Sequence, residues 1–214
     1  MATGTLPRSP LTVRGQLGHA NKGSPNSREG NAFIAWPRCA AVLAAITGTP
    51  GTGKTSTCEV LARRGYVVVD LDDIARREGL IVGRDDSRGT HEVDIGALRE
   101  RLIVPAKLAF LKSHYSHLVG TNIAIVLRCR PSVLRERLVA RGWPAAKVRE
   151  NVEAEAIDVI LQEAVARIPL VFEIDTTSST PSQAADIALA ILSGKTRGHE
   201  PGSVDWGSEV LSWY

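Results

Sequence analysis

Short apolar runs alternate with stretches of helical period along this chain from about residue 39 onward. Ala40–Thr47 is a continuous apolar run ending in a glycine-rich loop, the pattern of a strand covered on both faces. Thr55–Arg64 reads as a helix, with Val60 and Leu61 apolar and Gly65 beyond its end. Tyr66–Asp70 is a second buried strand, after which Asp72 or Asp73 caps a short helix through Glu78. Gly79–Asp94 reads as a polar loop, and Ile95–Ile103 as a helix with Leu98 and Leu102 on one face. Lys107–Ser113 and Ile123–Arg128 are two further strands. Ser132 caps a helix to Arg141, and a longer one follows from about Ala145 to Arg167, where Val148, Val152, Ala156, Val159 and Ala164 keep a stripe. Leu170–Asp175 is the fifth strand and Ser182–Leu192 the last helix. Strands alternating with helices predict an α/β fold on a parallel sheet with right-handed crossovers.

That pattern leaves two ends unassigned. Residues 1–37 are rich in Gly, Pro, Ser and Asn without sustained period, and are expected to be a disordered extension or an early start that contributes nothing. Residues 194–214 form a tail whose Trp206 and Trp213 are expected to pack back on a domain spanning 38–193. The formal net charge of +3 lies wholly in the extension, where Arg8, Arg14, Lys22 and Arg28 face only Glu29. The domain is therefore balanced and gives no case for a nucleic-acid groove. At 214 residues and 43% apolar, the chain is long enough for one ordinary core. No apolar run reaches the ~18 residues that cross a bilayer, and no apolar leader core is visible, so neither a membrane nor a secretory role is expected. Cys39, Cys58 and Cys129 contain no CxxC pair, which suits free thiols in a reducing cytoplasm.

Chemistry enters at Gly48–Thr55, where G-T-P-G-T-G-K-T matches G-x-x-x-x-G-K-[ST] at every fixed position. Glycines let backbone N–H groups curl around an anion, and the helix that follows adds its positive end. Lys54 is expected to bridge the β- and γ-phosphates of ATP, and the Thr55 hydroxyl to bind Mg²⁺. The segment also lies between a buried strand and an amphipathic helix, the context this motif requires.

Several further segments appear in a familiar order: Val67–Ala75, the His114-x-x-His117 pair, Ile125–Pro131, Leu138–Trp143 and Glu150–Glu155, with Val204–Gly207 in the tail. On these, about residues 40–193 resemble the adenylate kinase isoenzyme 6 family of small archaeal and eukaryotic nucleoside monophosphate (NMP) kinases, some called coilin-interacting nuclear ATPases. The resemblance implies a P-loop NTPase with an adenylate-kinase-like three-layer fold and a five-stranded parallel sheet. It implies an NMP-binding segment near 70–93 and a very short lid near 141–147. Gly51, Gly53, Lys54, Thr55 and Ser56 form the implied ATP-binding set, joined by Arg141 from the lid. It also brings ATPase activity and a role in 16S rRNA maturation of the small ribosomal subunit, through contact with the small-subunit protein S-eleven.

One departure stands out. The family places an Asp or Glu two residues before the first His of the third-strand motif; here that residue is Lys112. A cation beside Mg²⁺ repels it, so nucleotide binding is expected to survive with reduced turnover, unless Asp70 or Asp72 supplies the charge. His114 is either a catalytic group placing water or phosphate or a structural histidine, and with His117 makes only a weak metal pair. Arg128 and Arg137 are candidate phosphate cations beside Arg141, with a solvated helix face the alternative for Arg137. Asp72, Asp73, Asp85 and Asp86 are candidates to frame the NMP site, and Arg76, Arg77 and Arg84 to meet its α-phosphate; capping and solvation explain them equally well. Three functions follow: an NMP kinase, an ATPase switch in ribosome assembly, and a nucleotide-binding module with little turnover.

Overall fold

The computed structural model describes residues 11–12, 41–85 and 90–213. In chain order its main elements begin with β1 (Val42–Thr47), α1 (Lys54–Arg63), β2 (Val67–Asp70) and α2 (Leu71–Arg77). An antiparallel pair, β3 (Ile81–Asp85) and β4 (Thr90–Val93), precedes α3 (Ile95–Arg101). Then come β5 (Leu108–Lys112), a 3₁₀ turn at Ser116–Leu118, β6 (Ile123–Arg128), α4 (Pro131–Ala140), α5 (Ala145–Ala156) and α6 (Val159–Val165). The chain ends in β7 (Val171–Asp175), α7 (Pro181–Leu192) and a short α8 (Gly207–Leu211). The expectation for residues 1–37 lies outside the described residues, except that Leu11–Thr12 pairs in parallel with Leu102–Ile103.

The central sheet has the order β2-β5-β1-β6-β7 and every pairing is parallel. Alternate residues feed opposite faces, as the two-residue pleat requires. Ala44, Ile46, Ile123, Ile125 and Leu127 meet Leu61 of α1 and Ala184, Ala185, Ala188 and Ile191 of α7. On the other face, Ala45, Ala124 and Val126 meet Leu161 and Ala164 of α6, while Val69 and Leu111 meet Leu71 and Ile74 of α2 and Leu98 of α3. The result is the three-layer α/β arrangement expected of a P-loop NTPase. Parallel register puts Thr47, Asp70, Lys112, Arg128 and Asp175 at one edge of the sheet. Strand order reverses beside β1, and the crevice outside that reversal is where open α/β sheets take ligands.

Four local expectations need correction. Within 79–94, β3 and β4 form an antiparallel pair in place of the expected loop, because Leu80, Val93 and Ile95 pack onto the α2–α3 core and draw the ends of the stretch together. Asp70, not Asp72 or Asp73, caps α2: its Oδ1 accepts the amides of both. Helix α4 begins at Pro131, whose fixed φ suits the first helical position, so Ser132 is not its cap. The long helix of 145–167 is two helices, broken at Asp158 with φ 60°. Only this break lets Asp158 join Glu155 and Glu173 in pairing with Arg128. Of the two tail tryptophans expected to pack back, Trp206 does, buried with its ring facing the Arg128 guanidinium at 6.0 Å, whereas Trp213 is exposed.

Candidate nucleotide site

The loop from Gly48 to Gly53 turns the chain from β1 into α1. Gly48 has φ 130°, and a Cβ there would lie 2.3 Å from the Leu127 carbonyl oxygen, so only glycine lets the loop pass this close to β6. Gly51 has φ 100°, and its Cβ would lie 2.7 Å from Leu134 of α4. Gly53 starts α1 in the left-handed region, with no side chain capping the first turn and no acidic residue in it. The amides at this helix end are thus left for a ligand, and the helix dipole makes an anion the favoured one. Lys54 Nζ donates to the carbonyls of Gly48 at 2.6 Å and Thr49 at 3.0 Å. Burial lowers its pKa to about 8, against the raising effect of Asp72 and Glu155.

Cavities border the loop and the segments beside it. One is lined by Pro50, Gly51, Gly53, Lys54, Thr55, Ser56, Asp72, His114 and Arg141, the reach of a polyphosphate. A second, of about 180 Å³, lies between Gly51–Thr57, Arg137, Arg141 and the Thr176–Ala184 segment. Another, sharing Asp72 and His114 with the phosphate cavity, lies between Asp72, Ala75, Arg76, Ile81, Val93, His114 and Tyr115. Gly51, Gly53, Lys54, Thr55, Ser56, Arg141 and His114, named from sequence, therefore come together in one place. Arg141 borders the first two cavities, and His114 the first and third. The expected lid at 141–147 comprises the short turn between α4 and α5 and the first residues of α5, with Gly142 at φ 73° and Lys147 Nζ over the Trp143 ring at 4.4 Å. Neutral His114 is favoured, because burial and then Lys54 lower its pKa.

Lys112 is not in this group. Its Nζ pairs with Asp70 Oδ2 at 2.5 Å, while Asp72, whose Oδ1 accepts the Ser113 hydroxyl, lines the phosphate cavity. A hydroxyl from Thr55 and a carboxylate from Asp72 are oxygen donors of the type a hard dication takes, so this residue set fits Mg²⁺. His117 is buried, sharing its ring nitrogens between Thr47 and Glu163, and does not reach the cavity with His114. Arg128 is 1% exposed and fully engaged by Glu155, Asp158 and Glu173, so it is a core cation rather than a phosphate ligand. Arg137 holds the carbonyls of Thr176 and Thr177 beside the second cavity. The side chains of Arg84, Asp85 and Asp86 lie outside the described residues. Asp72, named from sequence both for the NMP site and for the missing charge, lines the phosphate cavity; Thr176 and Glu155 were not singled out as site residues, and only the Glu150–Glu155 motif hinted at the latter.

A glycine loop between a buried parallel strand and an uncapped helix, opening onto cations at the sheet's switch point, defines a P-loop NTPase. A family model described as an AAA domain matches residues 45–158. Among curated relatives, an Archaeoglobus fulgidus protein named "Putative adenylate kinase" is 41% identical over 79% of this chain and 94% of its own. Its Natronomonas pharaonis namesake is 45% identical over 76% of this chain and 96% of its own. The chain belongs to this archaeal-type adenylate-kinase-like family within the AAA-domain proteins. A solved gluconokinase from Sinorhizobium meliloti 1021 shares the fold at a TM-score of 0.50 and 20% identity, covering 74% of this chain and 94% of that one.

Proposed function

We propose that the protein is an ATP·Mg-dependent nucleoside monophosphate kinase, acting on AMP or another NMP. The observation that carries this reading is that two cavities adjoin one phosphate cavity through different residues, one through Gly51, Gly53, Ser56 and Arg141, the other through Asp72 and His114. Hydrolysis needs one nucleotide pocket and a water; transfer between two nucleotides needs a second pocket facing the first. In this reading an acceptor α-phosphate oxygen attacks the γ-phosphorus in line, and the bridging oxygen leaves on ADP. Lys54 and Arg141 would neutralise charge on the transferring group, and Arg76, which borders the cavity beside Asp72 and pairs with Asp73, would turn to the acceptor phosphate. His114, neutral, donates or accepts a hydrogen bond without adding charge. Thr55, with Asp72 nearby, would hold Mg²⁺, which supplies further charge neutralisation. Closure of the Arg141–Lys147 segment would exclude water. The buried Cys58 and Cys129 thiols, raised to about 12 and about 11 by desolvation, stay protonated and suit a reducing cytoplasm.

The family resemblance supports a second reading, in which ATP hydrolysis switches contact with small-subunit protein S-eleven during 16S rRNA maturation. Lys112 is the observation that favours it, since the family's acid is missing there. A coupled assay with ATP·Mg and each of AMP, CMP, UMP and GMP tests the kinase reading. Product should depend on an NMP and fall at least about a hundredfold in Lys54→Ala. Slow NMP-independent hydrolysis, accelerated by the ribosomal protein, would support the switch instead. Lys112→Glu is expected to raise turnover; unchanged turnover would mean that Lys112 does not limit it.

A further inference from the structure

Thr49 is the second residue of the phosphate loop, at a position where the motif leaves the side chain open. It is 2% exposed, and its hydroxyl donates to Glu155 Oε2 at 2.5 Å. Its carbonyl oxygen accepts Lys54 Nζ and both the amide and the hydroxyl of Thr52. One residue thus ties the fold of the loop to the placement of its catalytic cation, and Glu155 on α5 ties that residue to the core.

Glu155 is not needed merely to balance Arg128. Asp158 and Glu173 also pair with that guanidinium, so three carboxylates share one cation. The oxygen of Glu155 that faces Thr49 is distinct from the one that takes Arg128 Nε at 2.8 Å, the Cys129 amide at 3.1 Å and Trp206 Nε1 at 3.4 Å. Glu173 in turn accepts the amides of Gly202 and Ser203, closing the C-terminal segment over the network. A buried carboxylate is costly unless its oxygens are filled, and here each oxygen is filled by a different part of the molecule.

We infer that Glu155 is a positioning residue for the phosphate loop: through the Thr49 hydroxyl it fixes the loop in the pose that receives ATP phosphates. Arg128 and the Gly202–Trp206 segment hold Glu155 in turn. The inference rests on the reading of Gly48–Thr55 as the ATP phosphate site, and is independent of what accepts the phosphoryl group.

The test uses the full chain without an acceptor nucleotide. Thr49→Val removes the hydroxyl and keeps the β-branched shape, whereas Thr49→Ser keeps the hydroxyl. Amide hydrogen exchange of residues 48–57 is measured without nucleotide, and ATP·Mg affinity by titration calorimetry, each well below the melting temperature of the variant. Thr49→Val should speed exchange in the loop and weaken ATP about tenfold, the loss of one hydrogen bond to a charged group. Thr49→Ser should stay within about threefold of wild type on both. Combining Thr49→Val with Glu155→Gln should cost less affinity than the two separate losses together, since both act on one bond. A Thr49→Val protein that melts lower yet keeps wild-type loop exchange and ATP affinity would overturn the inference. Equal losses in Thr49→Val and Thr49→Ser would assign the effect to packing and overturn it too. Neither readout depends on NMP phosphorylation, so failure of the kinase reading would leave these results as they stand.

Discussion

Lys54 is held by two carbonyls in a site that disfavours its charge, and this makes its response to pH specific. With its pKa lowered to about 8 by burial, the lysine is charged at neutral pH in the nucleotide-free protein and largely neutral above pH 9. Contact with phosphates favours the charged form, so bound ATP must raise the pKa again. ATP·Mg affinity should therefore be flat from pH 7 to 8 and fall by up to about tenfold per pH unit above that, with proton uptake on binding. Calorimetry in buffers of different ionisation enthalpy checks both. For folding, the sign is opposite: the cost of burying a charged Lys54 is present below pH 8 and eases as pH rises. Arg128 is the other residue under tension. Arg128→Met would leave Glu155, Asp158 and Glu173 facing one another without a cation. The expected cost is about 3–5 kcal/mol in urea unfolding, since a broken buried pair leaves uncompensated charge.

Helix α5 and helix α6 show how tertiary chemistry overrides periodicity. The apolar stripe from Val148 to Ala164 satisfies a single helix, yet Asp158 adopts the left-handed region and interrupts it. Asn and Asp tolerate that conformation, whereas a β-branched residue does so poorly. Asp158→Asn should keep the break and lose only its ionic pairing with Arg128. Asp158→Val should cost more, by about 1–3 kcal/mol, through backbone strain; paired denaturation curves measure the difference. The β3–β4 pair was hidden for a similar reason, because these short strands gain their ordering from Leu80, Val93 and Ile95 on the α2–α3 core. Strands of the central sheet were legible because each is apolar, buried on both faces and bounded by a turn. Helix starts were less so: α7 shows a capping box between Thr180 and Gln183, but α4 relies on proline and α1 on a glycine left for a ligand.

At the scale of the whole molecule, the sheet's switch point assembles the site from segments far apart in sequence. The loop, Lys54, Thr55, Arg141 and His114 were legible because short motifs carry them. Thr176 and Glu155 were not, because their positions follow from strand order and helix packing rather than from local spacing; Asp72 and Arg137 were named with alternatives that packing alone decides. Lys112 was legible as a departure, but its pairing with Asp70 depends on β2 lying beside β5. The C-terminal segment belongs to this account as well: the Glu173 amide donates to the His199 carbonyl along the edge of β7, and Trp206 closes over Arg128 and Glu155. Two cavities adjoining one phosphate cavity are the feature on which the proposal of transfer over hydrolysis rests. Incubation with ATP labelled in the γ-phosphate, Mg²⁺ and AMP, followed by separation of products, tests that claim most directly. Label recovered in the β-phosphate of ADP formed from AMP is the predicted result; label recovered only in inorganic phosphate, at a rate indifferent to AMP or any other NMP, would contradict it.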